Sequence, residues 1–562
     1  MRKWLLLLAS LALVGVLART ALPALVLRHP RLLALLSEFV DPIGPPHEVA
    51  WEAGPATATT PASERPPNVV LILVDDLGWN DLSWRGGGIA DGSVPTPHID
   101  SIAQAGVEFT AGYAGNATCA PSRAAIMTGR YPGRFGFEST PAPPSMGYMV
   151  SRLQEEQAPD PDRPKTIFHE DLVDQVPSMD DQGVPASEIT LAELLKAAGY
   201  HTLMLGKWHL GSSEGLRPDD QGFDEFLGFR AGASFFGDPD DPEIVNAKQD
   251  FDPIDRFIWQ VLPFAVRKNS EPRFAPAQYM TDYLSNEAAK AIAANRNRPF
   301  FLYLAYNAPH TPLQATKADY EALAHIEHHP TRVYAAMLRS LDRGVGRVLA
   351  ALDEYDLTEN TLVIFSSDNG GAHYIGLPEI NHPYRGWKMT FFEGGLRAPS
   401  FMRWPAGLPA GVQVDEPVAH IDIFSTVAAA ANLPLPADRP IDGIDLLPFA
   451  RGNAPEAPDS RREALFWRSD HYQTVRSGGW KLQVNARVAE PWLYHLDEDP
   501  TEQVNLASQR PDKLAELLAL LERQNETLGP PAWPSLVEGV IPVDRTLASP
   551  YEAGETYVYW PN

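Results

Sequence analysis

Cysteine is nearly absent. The 562 residues hold one, Cys119. No intrachain disulfide can form, so the chain is not a disulfide-stapled secreted scaffold and has to rest on its core. Positive charge is also scarce: 46 Lys plus Arg face 72 Asp plus Glu, a net charge of -26. That balance argues against nucleic acid as the main partner, because phosphate binding needs a positive field. For an anionic substrate, positive charge would have to be gathered in one pocket. The N-terminal apolar run, WLLLLASLALVGVL (Trp4 to Leu17), is shorter than the roughly 20 residues of a spanning helix. What is present is ordinary globular material, 44% hydrophobic and 21% charged, long enough to bury a sizeable core. Collagen-like, coiled-coil and wholly disordered chains are excluded. The 53 Pro predict a loop-rich body.

Arg2 and Lys3 precede the apolar run and Ala18 follows it, the pattern of a secretory signal peptide over residues 1–18. An uncleaved anchor is the alternative, because a second apolar stretch, ALVL (Ala24 to Leu27), follows Arg19 and Pro23. The protein is therefore expected to be exported, periplasmic or extracellular, with membrane contact only through an uncleaved leader. Residues 19–67 read as leader and linker, with RLLALLSEFV (Arg31 to Val40) either a short amphipathic helix or part of the leader.

From Asn68 the chain alternates buried strands and helices. NVVLILVDD, HTLMLGKWH, PFFLYLAYNAPH and NTLVIFSSDNGG are strand candidates. ITLAELLKAAGY is a helix with a Gly stop. Between the last two strands, Tyr334, Met337, Leu338, Leu341, Val345, Val348 and Leu352 recur at helical spacing and read as core. The alternation implies an α/β sandwich with a large, mainly parallel sheet flanked by helices over 68–454. A smaller C-terminal α+β unit over 455–528 and a Pro-rich tail over 529–562 complete the expected organisation.

The polar residues sit where such a sheet would use them. Four strand candidates end in Asp75-Asp76, Lys207-x-His209, His310 and Asp368-Asn369, and open α/β sheets bind ligands outside the carboxyl ends of their strands. Three carboxylates within ~4 Å would repel by about 4 kcal/mol per pair at an effective dielectric near 20. A divalent cation removes that repulsion, and oxygen donors with an Asn carbonyl suit a hard ion, Ca²⁺ or Mg²⁺, better than zinc. Alone, Cys119 reads as a small buried apolar residue. The string CAPSRAAIMTG (Cys119 to Gly129) changes that reading.

That string resembles the sulfatase signature, Cys-x-Pro-x-Arg followed at fixed spacing by Leu or Met, Thr or Ser, and Gly. NVVLILVDDLG, GYHTLMLGKWHLG, GFDEFLGF, APHTPLQ, IFSSDNGG and RGWKMTFFEGGLRAPSF resemble type I sulfatase segments in family order, across Asn68 to Trp404. LYHLDEDPTEQVNLA (Leu493 to Ala507) resembles the family's C-terminal segment. The resemblance implies the alkaline-phosphatase-like fold and an arylsulfatase-type sulfuric ester hydrolase. It implies conversion of Cys119 to formylglycine by a formylglycine-generating enzyme, and one Ca²⁺ held by Asp75, Asp76, Asp368 and Asn369, with residue 119 completing the shell. It implies Asp368 as an acceptor for the attacking hydroxyl's proton, and Arg123 as partner of the hydrate and counter-charge to the metal ligands. Lys207 and His209 would face the sulfate, His209 as base for sulfate release. His310 and Lys388 would bind sulfate oxygens and assist the leaving alcohol.

Two other readings use the same residues: a phosphate mono- or diester hydrolase of this fold, and a non-catalytic exported binding protein with Cys119 unmodified. The substrate, a sulfated small molecule or a carbohydrate, is expected to meet the segments Phe137 to Pro185 and Phe235 to Pro276, whose aromatic and acidic content (Phe235, Phe236, Trp259, Asp238 and Asp240) is compatible with an aryl or a sugar sulfate and decides neither. Ser234 is given no role. His98, His373, His382 and His420 read as structural or substrate-side.

Overall fold

The structure, a computed structural model, describes residues 31–58, 60–61, 64–157, 164–453 and 462–562. The expected signal peptide (1–18) and the first part of the expected leader lie outside the described residues. Four helices recur below: α1 (Arg31–Val40), α2 (Cys119–Thr128), α3 (Pro144–Gln157) and α4 (Pro253–Val261).

A nine-stranded sheet organises the main body. Its strands are β1 (Asn68–Val74), β2 (Val107–Phe109), β3 (His201–Lys207), β4 (Glu225–Phe229), β5 (Arg267–Lys268), β6 (Phe300–Ala305), β7 (Thr361–Ser367), β8 (Ser400–Arg403) and β9 (Val412–Val414). They run in the order β9-β2-β8-β7-β1-β6-β3-β4-β5. The five central strands, β7 to β4, are mutually parallel. The antiparallel pairings fall towards the edges.

All seven residues of β1 are buried, which explains why it reads as a continuous apolar run rather than an alternating one. Val70, Ile72 and Val74 join one core, with the seven helically spaced residues from Tyr334 to Leu352. Those seven lie on a 26-residue helix, His329–Glu354. Val69, Leu71 and Leu73 join a second core on the other face, with Ala120, Ala124, Ile126 and Met127 of α2. The sheet is thus covered on both sides, and its polar chemistry is confined to strand ends.

The C-terminal unit is a four-stranded antiparallel sheet, β10 (Leu465–Ser469), β11 (Tyr472–Ser477), β12 (Trp480–Asn485) and β13 (Trp492–His495). One face packs on Leu517, Leu520 and Leu521 of the helix Pro511–Asn525. The other packs on the main body through Trp467, Tyr472, Trp492 and Tyr494 against Tyr113, Phe391 and Phe392. The Pro-rich stretch after Gly529 contributes an antiparallel pair, β14 (Val537–Pro542) and β15 (Tyr557–Pro561), and β14 also pairs with Ile167–Phe168.

Candidate active site

Parallel strands deliver their C-termini to one rim. β1 and β7 pair in register from Asn68↔Thr361 to Val74↔Ser367, so Asp75-Asp76 and Asp368-Asn369 emerge side by side. The Asp368 amide donates to the Val74 carbonyl at 3.0 Å, and the Asp76 amide to Asp368 Oδ1 at 3.2 Å. His310 follows β6, whose exit is tied to β1 by Tyr306 N donating to Leu73 O at 2.9 Å. Lys207 ends β3, with His209 two residues on. Asp76 (φ 62), His209 (φ 62) and Met389 (φ 69), which follows Lys388, adopt left-handed backbone. Each such non-glycine residue costs about 1–3 kcal/mol, so the surrounding structure holds these turns against strain.

Cys119 is the first residue of α2, after an extended Thr118. Its Sγ lies 3.4 Å from Asp75 Oδ1 and 3.8 Å from Asp76 Oδ1. The helix N-terminus, electropositive through its dipole and free amides, therefore faces the acidic pair. Below it, His420 bridges Ser122 Oγ (2.9 Å to Nδ1) and Ser366 Oγ (2.9 Å to Nε2), pinning α2 to the end of β7. Burial, reinforced by Asp368, raises the thiol pKa well above its ordinary value. The thiol stays protonated, the opposite of what a thiolate nucleophile needs.

Cations surround the carboxylates. Arg123, fully buried, places Nε 2.9 Å and Nη2 2.8 Å from Asp368 Oδ2, Nη2 3.8 Å from Asp75 Oδ2, and donates from Nη1 to the Lys207 carbonyl at 2.8 Å. Lys207 Nζ lies 2.7 Å from Asp75 Oδ2. Lys388 Nζ lies 2.8 Å from Asp76 Oδ1 and 2.9 Å from Oδ2. Burial and the neighbouring Asp368 push the Asp75 pKa up, against the pull of Lys207, His310 and Arg123. Burial also opposes ionisation of Asp76, but Lys388 and His310 outweigh it and hold the carboxyl well below its usual range. His310 donates Nδ1–H to the Thr311 carbonyl at 2.5 Å, which leaves Nε2 facing Asp76 Oδ2 at 3.6 Å. Burial, then Lys207 and Arg123, drive the His209 pKa well down, so the ring is neutral, and its buried Nδ1 has no hydrogen-bond partner.

Donor atoms of Asp75, Asp76, Cys119 and His310 lie within 4.8 Å of one another. Asp368 and Asn369 adjoin this group. The Asp368 carboxylate is engaged by Arg123 and the Asp76 amide. Asn369 donates Nδ2–H to Asp76 Oδ1 at 2.7 Å, while its Oδ1 is buried without a partner. All ten residues singled out for catalysis or metal binding thus gather at one rim. Sequence reasoning missed Tyr374, whose hydroxyl donates to Asp76 Oδ2 at 2.8 Å and accepts from Lys388 Nζ at 3.0 Å. It lies six residues past Asp368 in a one-turn 3-10 helix, His373–Ile375, too short for a periodic pattern, and only its place near the Asp-Asn-Gly-Gly turn marked it.

A cavity of about 1070 Å³ opens onto Cys119, His209, His310 and Lys388. α3, α4 and their flanks, within the segments 137–185 and 235–276, supply part of its walls, and α1, the stretch 228–234 and the C-terminal stretch 533–562 supply much of the rest. Phe235, Phe236, Trp259, Asp238 and Asp240 do not line it. Phe235 packs on Trp259 (5.1 Å between rings), Phe236 stacks on Tyr279, and Asp238 and Asp240 face solvent. Their aromatic character serves packing between loops. Ser234 does line the cavity, but its hydroxyl is spent on the Pro263 carbonyl at 2.9 Å.

Comparison with known proteins places this geometry. The family model Sulfatase matches residues 67–433, and N-sulphoglucosamine sulphohydrolase, C-terminal, matches 385–528. The chain is 31% identical over 502 residues to N-acetylgalactosamine-6-sulfatase of Sus scrofa, covering 83% of this chain and 87% of that protein. It is 34% identical over 521 residues to steryl-sulfatase of Mus musculus, covering 81% and 75%. Among solved structures, that of Ps i-CgsB superposes with a TM-score of 0.67 at 28% identity over 84% of this chain and 95% of that one. The same protein in complex with k-i-k-neocarrahexaose gives 0.65. With an acidic rim, a helix-terminal Cys-x-Pro-x-Arg and these relatives, the chain belongs to the sulfatase family of the alkaline phosphatase superfamily and is a sulfuric ester hydrolase.

Proposed function

We propose that residue 119 works as formylglycine beside one Ca²⁺ held by Asp75, Asp76, Asp368 and Asn369. The observation that carries this reading is a buried, protonated Cys119 thiol at the head of α2 against two aspartates, next to the unpartnered Asn369 Oδ1. An orphaned buried amide oxygen among carboxylates suits a hard oxygen-seeking cation, and a thiol that cannot ionise is a poor nucleophile as it stands. Bound calcium supplies Lewis acidity, polarising a sulfate oxygen and easing ionisation of the attacking hydroxyl. The aldehyde hydrate supplies two hydroxyls on one carbon, one to attack sulfur and one whose deprotonation releases sulfate.

The chain's own residues do the rest. Arg123 neutralises the Asp75–Asp368 side and fixes the end of β3 through the Lys207 carbonyl. Lys207 and Lys388 bring two ammonium groups to the sulfate, gathering positive charge that the chain otherwise lacks. Neutral His209, with Nδ1 free, takes the proton of the second hydroxyl. Lys388 donates a hydrogen bond to the departing alcohol oxygen. His310, whose Nδ1 proton is committed to Thr311, joins in only when Nε2 carries a proton. The substrate is a sulfate ester of a small molecule or carbohydrate. A formylglycine-generating enzyme acts during maturation, and the N-terminal leader directs export.

Mass spectrometry of protein co-expressed with that maturation enzyme should find the residue 119 sulfur replaced by carbonyl oxygen. Calorimetry should find Ca²⁺ binding that Asp75→Asn weakens, and Cys119→Ala should abolish turnover while leaving thermal unfolding unchanged. An ordinary thiol in fully active protein would overturn the reading. Dominant turnover of an aryl phosphate over the matched aryl sulfate would favour the phosphate-ester alternative. N-terminal sequencing of secreted protein tests the leader.

A further inference from the structure

We infer that the cavity beside the reactive centre binds the apolar alcohol portion of an amphiphilic sulfate ester, an alkylaryl, long-chain or fused-ring alcohol rather than a sulfated sugar chain. This rests on the sulfatase reading and names the substrate class for that site. The cavity, about 1070 Å³, is at the upper end of the roughly 300–1,000 Å³ usual for small-molecule sites. Met146 and Val150 of α3, Phe257, Ile258 and Val261 of α4, and Trp560 of β15 form its apolar walls.

Many of the polar groups around the cavity are already committed to the protein, while Thr140 Oγ1, Arg230 Nε, His373 Nδ1 and Trp560 Nε1 are buried without a partner. Gln154 accepts from Thr166, and Gln182 bonds the Ala142 amide and the Ala142 and Pro177 carbonyls. Asn562 bonds both backbone groups of Thr140. Asp252 is spent capping α4 through the Ile254 and Asp255 amides at 3.0 and 2.8 Å. Arg267 and Arg273 share Asp41 at 2.5 and 3.0 Å, and Arg230 pairs with Asp219 at 3.7 Å. A bound sugar needs a partner for each hydroxyl, and every one buried without a partner weakens binding about 10-fold. A hydrocarbon asks nothing of these groups.

The mouth of the cavity adds an independent observation. Helix α1 contributes Leu36 and Val40 to the lining. Four of the seven exposed large apolar side chains among the described residues are on this one helix, Leu35, Leu36, Phe39 and Val40, with Phe39 87% exposed. An apolar surface thus runs from the wall out to solvent, a patch of the kind that marks a ligand or lipid-contact site.

The test is a series of 4-alkylphenyl sulfates from methyl to octyl, whose leaving groups are chemically alike. kcat/KM is expected to rise about 3- to 4-fold per methylene until the cavity is filled, the fold-change equivalent of about 0.8 kcal/mol per buried CH₂. Sulfated disaccharides are expected to be at least about 100-fold poorer than the octyl ester, the ratio for two unpaired buried hydroxyls. Val261→Glu and, separately, Met146→Glu should flatten the chain-length dependence, with thermal unfolding reporting whether each variant is folded. Non-hydrolysable 4-octylphenyl sulfonate reads the cavity without turnover: calorimetry should find binding with a negative heat-capacity change. A flat series in an enzyme that cleaves phenyl sulfate, or preference for the sulfated disaccharide, overturns the inference and leaves the sulfatase reading standing. Sulfonate binding without turnover of any sulfate ester would instead sink that reading and keep the apolar site. Absence of sulfonate binding overturns the inference.

Discussion

Arg123 carries an unusual load for one side chain. Its guanidinium has no contact with water, touches Asp368 through two nitrogens, and reaches Asp75 and the Lys207 carbonyl. Burial, the largest single influence, lowers its pKa, but Asp368 together with the neighbouring Tyr303, Asp75 and Cys119 outweighs it and raises the pKa, so the group is a permanent cation. Arg123→Met keeps roughly the volume and removes the charge, taking the guanidinium from Asp368 and leaving Lys207 to balance Asp75. Breaking a buried pair in this way costs about 3–5 kcal/mol. Urea unfolding of the metal-free protein should show a loss of that size with an unchanged denaturant slope; a loss under 1 kcal/mol would mean that Lys207 alone balances the pair. Tyr374 and the strained Asp76 and His209 turns belong to this scale too, since each fixes one functional atom.

At the scale of the element, the end of β3 stands out. Gly206, the last residue but one of β3, adopts φ +101, and a Cβ there would lie 1.9 Å from the Ala305 carbonyl oxygen of β6. Glycine allows both the left-handed turn and the close approach of two backbones. Gly206→Ala has to push β3 away from β6, at a cost of about 1–3 kcal/mol in stability. Because Lys207 is the next residue, kcat/KM should fall further than thermal stability would suggest. A variant with reduced Tm but normal turnover would show that Lys207 is positioned by Arg123 and Asp75 instead. The helix His329–Glu354 behaves differently: its apolar spacing alone placed seven core residues correctly.

At the scale of the whole molecule, the two units are joined by a buried charge cluster. Lys481 of β12 lies 2.7 Å from Glu393 and 3.0 Å from Glu502. Glu393 also accepts from Tyr113 and Arg397 at 2.7 and 2.6 Å, close in sequence to Lys388. Burial, with Glu393 beside it, raises the Glu502 pKa from 4.5 to about 7, whereas Lys481 and Arg397 overcome burial to hold Glu393 at about 2. The folded chain therefore keeps a proton on Glu502 that the unfolded chain releases. Stability from that group is complete below pH 4.5 and is lost as pH rises through about 7. Glu502→Gln should make Tm flatter across that window than in the parent protein. An unaltered slope would place the proton elsewhere in the cluster.

Much was decided by local chemistry. Continuous apolar runs ending in acids or in Lys-x-His identify buried parallel strands with reactive ends, because a strand covered on both faces tolerates polar groups only at its termini. The Cys119 string and the order of the segments identify the family without any contact information. Other features depend on groups far apart in the chain. The pairing of β1 with β7 across nearly three hundred residues sets Asp75 against Asp368, and Arg123 finds both only because His420 pins α2 to the sheet. Phe257, Val261 and Met146 line the cavity, whereas Phe235 and Phe236 pack on neighbouring aromatic rings. Which apolar face turns inward to a ligand and which to a neighbouring loop is settled by packing between elements, a long-range competition that no local pattern records.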